Sequence, residues 1–115
     1  MFKIQGNTFH VTRGDGGIVE LSFRDYTFSV GTEVHFRIYE EEGMNKEPVL
    51  DKQVNVGTAT ETVDIEFLGA DTTLGSPINE RATYWYEIAV TDDQTPICFD
   101  ENGPKLFYLY PGGNN

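Results

Sequence analysis

The chain of 115 residues has a single cysteine, Cys98, and no C-x-x-C pair. A lone thiol cannot close an internal disulfide and leaves no four-ligand set for structural zinc, so neither staple is available to this fold. Basic residues are also scarce. Eight Lys and Arg stand against 19 Asp and Glu, a formal net charge of −11. Such a surface repels phosphate backbones and anionic lipid, which argues against nucleic acid and membrane surfaces as partners.

Long apolar runs are missing, and the opening "MFKIQGNTFH" lacks the apolar core of a secretory signal. A soluble protein that is not secreted by a signal peptide is therefore expected. No long amphipathic helical pattern occurs. No H-E-x-x-H, G-x-S-x-G or phosphate-cradling glycine loop is present. His10 and His35 lie 25 positions apart, each on the polar side of an alternating segment. Cys98, between Ile97 and Phe99, has no neighbour that would lower its pKa, so an inert thiol is expected. Neither catalysis nor a cofactor is expected. A sugar-hydrolysing pair drawn from the 19 acids stays open in principle, although a domain of this size has little room for a cleft.

Turn residues recur about every 8–12 positions, and the segments between them alternate β-branched or aromatic residues with polar ones, the pattern of an all-β sandwich or barrel. Phe9 and Val11 alternate with His10 and Thr12, and Val19, Leu21 and Phe23 with Glu20 and Ser22. Val34, Phe36 and Ile38 point inward, with His35, Arg37 and Tyr39 opposite. Leu50, Val54 and Val56 follow, then Val63, Ile65 and Phe67, and then Tyr84, Tyr86, Ile88 and Val90. Ile97–Asp100 and Lys105–Tyr110 close the set across the hairpin signal "ENGP". These segments give seven to nine strands and at most one short helical turn, near Ala70–Leu74. Residues 1–110 are read as one domain and 111–115 as a flexible tail.

Four features bear on function. Arg13-Gly14-Asp15-Gly16-Gly17 spells a cell-adhesion tripeptide, but it lies between two strands. It reads as a structural turn in which the glycines take positive φ and Asp15 bonds its own backbone two residues on. Trp85 falls on the polar face of its strand with Glu87 and Ala89, placed to anchor a partner, to stack on a sugar, or to be covered by the rest of the chain. The last strand is apolar on both faces, with Leu106, Tyr108 and Tyr110 on one and Phe107 and Leu109 on the other. Such a strand is either central or covered from outside the domain. Trp85, Tyr39, Phe107 and Leu109 are therefore the candidate partner-contact residues. The acidic runs Glu40-Glu41-Glu42, Asp92-Asp93 and Asp100-Glu101-Asn102 lack the spacing of a calcium loop and read as solvated turns, so no metal site is expected.

Four segments in order, "IQGNTFHVTRGD", "YTFSVGTEVHFRIYEEEGMNKEPVL", "ATYWYEIAV" and "DENGPKLFYLYPGG", span nearly the whole chain. Together they resemble the N-terminal domain of the baseplate upper protein family, found among small tail-module proteins of phages and prophages of Gram-positive bacteria. The resemblance implies an immunoglobulin-like antiparallel β-sandwich with a structural, non-enzymatic role. It implies other tail or baseplate proteins as partners, self-association among the options, and a place in the virion or, before assembly, in the bacterial cytoplasm. It implies an ordered turn at Thr12–Asp15 and carries no catalytic residues across. The competing expectation from the residues is a module for cell-wall glycans built on Trp85 and nearby tyrosines.

Overall fold

A computed structural model describes residues 1–23, 25–42, 46–92, 95–98 and 105–112, with the backbone alone described at 92 and 95–98. Among the described residues it holds nine strands: β1 (Phe2–Gln5), β2 (Thr8–Thr12), β3 (Gly17–Leu21), β4 (Glu33–Tyr39), β5 (Leu50–Asn55), β6 (Val63–Phe67), β7 (Ala82–Asp92), β8 (Thr95–Cys98) and β9 (Leu106–Tyr110). One 3₁₀ turn, Gly69–Thr72, follows β6 and overlaps the non-alternating stretch read from the sequence. Among the described residues no helix is long and apolar enough to cross a membrane. The "ENGP" signal, the run at Asp100–Asn102, Asp93 and the last three residues of the tail lie outside the described residues.

The larger sheet runs β1-β2-β9-β7-β4-β5, with β8 pairing the far half of β7, and the smaller sheet is the pair β3-β6. The chain crosses between sheets after β2, β3, β5 and β6. Each of these steps carries the chain from one layer to the other, giving a β-sandwich. One pairing departs from the antiparallel expectation. β2 and β9 run parallel, with Phe9 opposite Phe107 and Val11 opposite Leu109. Alternation reports which face is buried and carries no information about the direction of the neighbouring strand.

A hairpin missed by the sequence reading opens the chain. β1 pairs β2 from Phe2↔Val11 to Gln5↔Thr8 across Gly6-Asn7, and Gly6 takes a positive φ of 60°, as the first position of a type II′ turn requires. The signal was weak because three of the four β1 residues are exposed.

Between the sheets lies an aromatic core. Phe36 stacks on Tyr86 at 4.9 Å and meets Phe9 and Phe67 edge-on at 5.3 and 5.2 Å. Phe67 of the small sheet also contacts Phe2 and Phe107. β5, at one edge, points Lys52 inward, where its Nζ lies 2.9 Å from Asp71 Oδ2 on the 3₁₀ turn. Burial alone would raise the Asp71 pKa. The Lys52 ammonium and the Leu68 N–H outweigh it and hold the carboxyl below its ordinary value. An inward charge on an edge strand also discourages addition of another strand there.

Candidate functional site

The Arg-Gly-Asp stretch is an ordered crossover from β2 in one sheet to β3 in the other. The Arg13 amide bonds the Tyr110 carbonyl at 2.9 Å, and its guanidinium reaches the Gly75 carbonyl at 3.4 Å. Asp15 does not close on its own backbone as expected. Its carboxylate instead accepts from the N-terminal ammonium of Met1, because β1 brings the chain start beside the turn. Both charged members of the tripeptide are thus engaged within the chain.

The glycines also divide their roles differently from expectation. Only Gly14 takes positive φ, at 91°. Gly16 and Gly17 are required by close approach. A Cβ on Gly16 would sit 2.6 Å from the Phe67 carbonyl oxygen, and one on Gly17 would sit 2.5 Å from the Phe2 ring. The residue holding this turn was missed altogether. Thr72 is fully buried, and its Oγ1 accepts from the Gly14 amide at 3.0 Å and donates to the Asp15 carbonyl at 2.8 Å. A lone threonine in a polar loop gives no sequence signal of such a role.

The candidate contact residues separate into two groups. Phe107 and Leu109 are fully buried in the core, which corrects their reading as contact residues. β9 is a central strand between β2 and β7, so the small sheet covers that face, and the outer one is left to Leu106, Tyr108 and Tyr110. Trp85 and Tyr39 do lie together on the outer face, directly paired across β7 and β4. Leu106 pairs Trp85 from the other side. An apolar row thus crosses three strands on a face that alternation marks as wet.

Tyr39 departs from expectation in its burial: it is only 7% exposed. Its hydroxyl donates to Glu87 Oε1 at 2.6 Å, and Arg37 bonds the same oxygen and Asp51, each at 3.3 Å. His35 Nδ1 lies 2.9 Å from Asp51 Oδ1. Burial, then the bond to the Glu87 carboxylate, pushes the Tyr39 phenol up to about 12. The neutral phenol is therefore favoured by folding. Its contribution to stability is complete below about pH 10, where an unfolded tyrosine titrates, and is lost as pH rises towards 12. Tyr39→Phe should cost about 1–3 kcal/mol at neutral pH, with the gap to the native chain closing above pH 10. Urea titrations across that range check both; a gap that does not change with pH would be the wrong outcome.

Trp85 is half-buried, and its Nε1 is buried without an acceptor among the described residues. On the far side of the row, His10 Nδ1 shares a 2.8 Å hydrogen bond with the Tyr110 hydroxyl, and Arg81 lies 4.0 Å over the Tyr108 ring. The outer face of the large sheet is therefore aromatic and cationic over β2 and β9, apolar along the Trp85 row, and a charge network over β4 and β5.

An open hollow of about 560 Å³ lies elsewhere, at one end of the sandwich, lined in part by Phe23, Asp25, Tyr26, Thr27, Glu61 and Thr62. It exceeds the room that chain length suggested and brings two carboxyl-bearing residues to one rim. Among the described residues no group of three or more metal-ligating side chains converges. Comparison with known proteins found no matching family model, no matching curated protein and no matching solved structure.

Proposed function

We propose that this chain is a non-enzymatic assembly domain of a phage or prophage tail baseplate, joined to other virion proteins through the outer face of its larger sheet. The observation that carries this is the Leu106–Trp85–Tyr39 row. Sheet faces turned to solvent are ordinarily polar along their length, and a contiguous apolar row between polar flanks is the anatomy of a contact surface. The four segments resembling baseplate domains supply the kind of assembly. A glycan platform has less support, since Trp85 lies half sunk among its neighbours instead of presenting a free ring face.

Co-expression with tail-module proteins and affinity capture tests the reading. At least one of them should be retained, and Trp85→Ala should weaken retention tenfold or more, about the loss of one anchoring aromatic. Capture by none of them, or glycan binding that Trp85→Ala abolishes, would replace this reading.

A further inference from the structure

Acidic and basic side chains are unevenly divided between the β1–β2–β9 face and the β3–β6 face. β1, β2 and β9 contain no acidic residue, in a chain with 19 of them. Their outer face carries Lys3 opposite His10 and His10 opposite Tyr108, with the Arg81 guanidinium over the Tyr108 ring. β3 and β6 contain no basic residue. Their outer face carries Glu20 directly opposite Asp64 and Ile18 opposite Glu66. None of these three acids has an ion-pair partner among the described residues, and like charges facing across two strands are unfavourable. Beside them Ile18 and Leu68 are 61% and 55% exposed. The two faces stand back to back over one core, since Phe67 of β6 meets Phe2 and Phe107 of β1 and β9.

We infer that copies of this chain associate head to tail, the β1–β2–β9 outer face of one receiving the β3–β6 outer face of the next. Charge selects this arrangement. Each copy carries −11, so arbitrary approach is repulsive. A symmetric contact between two β3–β6 faces would oppose Glu20, Asp64 and Glu66 to themselves, and one between two β1–β2–β9 faces would oppose the cations. Only the unlike pairing sets Lys3 and Arg81 against the acids and covers Ile18 and Leu68 with Tyr108 and Tyr110. Because the surfaces differ, the contact is heterologous and repeats into a ring or filament. The inference deepens the assembly reading but can fail alone: capture by a tail protein with no self-association would overturn it and leave that reading standing.

Light scattering over a concentration series tests it with two variants that alter exposed side chains. One is Lys3→Glu with Arg81→Glu; the other is Asp64→Lys with Glu66→Lys. The native chain should rise above its 13.0 kDa monomer mass as concentration increases. Each variant should stay monomeric to at least tenfold higher concentration. Mixed together, they should associate again, because the acidic β3–β6 face that the first keeps meets the β1–β2–β9 face that the second keeps. Circular dichroism confirms folding, and Asp64→Lys, by removing a like-charge pair, should leave the melting temperature no lower than native. A native chain that stays at 13.0 kDa throughout, a variant that still assembles like the native chain, or a mixture that never pairs would each overturn the arrangement.

Discussion

Phe36→Ala should lower the free energy of unfolding by about 3–5 kcal/mol, read from urea denaturation at neutral pH. Phe36 is fully buried and is one of the rings through which the two sheets meet, stacked on Tyr86 within its own sheet and edge-on to Phe67 across the core. Truncation leaves a cavity that no nearby side chain can fill without tilting a sheet, and it forfeits three ring contacts. A domain of this size is stable by roughly 5–15 kcal/mol in all, so the loss is a large fraction of the total. Phe36→Leu, which keeps most of the volume, should cost distinctly less. A loss under 1 kcal/mol for the alanine variant would mean that the sheets do not meet at this ring.

Thr72→Val should cost about 1–3 kcal/mol, although it exchanges one hydroxyl for a methyl of similar size. The hydroxyl satisfies the Gly14 amide and the Asp15 carbonyl where the chain crosses from β2 to β3. Valine leaves both groups without this partner, and each loses the hydrogen bond that holds the turn. Hydrogen exchange gives a local readout: the Gly14 amide should lose protection in the valine variant and keep it in Thr72→Ser. Unchanged protection would show that the turn is held by other contacts.

The strands with one buried face were legible from residues alone. β6 reads Val63-Asp64-Ile65-Glu66-Phe67 and buries every odd position, as its alternation requires. The same logic placed Trp85 and Tyr39 on one outer face, since period-two parity survives even where both faces carry aromatics. It failed for Phe107 and Leu109, because an apolar strand has no polar side to mark the solvent. Burial there depends on which strands lie alongside, and β2 comes from the opposite end of the sequence. The role of Thr72 was illegible for a related reason: its partners are 57 and 58 residues away, and nothing local announces them. Asp15 was drawn from its expected turn by the Met1 ammonium, which only the β1–β2 hairpin brings near. Local pattern thus reached faces and turns, and topology decided the rest.

The side-by-side pairing of β2 with β9 has a consequence for biosynthesis. The second strand to leave the ribosome acquires its neighbour only when the ninth emerges, nearly a hundred residues later. Until then the nascent chain displays the open edges of β2 and β7, which invite pairing with other polypeptides. Contacts so distant along the chain also slow the search for the native arrangement. Premature termination before Leu106 should therefore produce an aggregating product rather than a shortened sandwich.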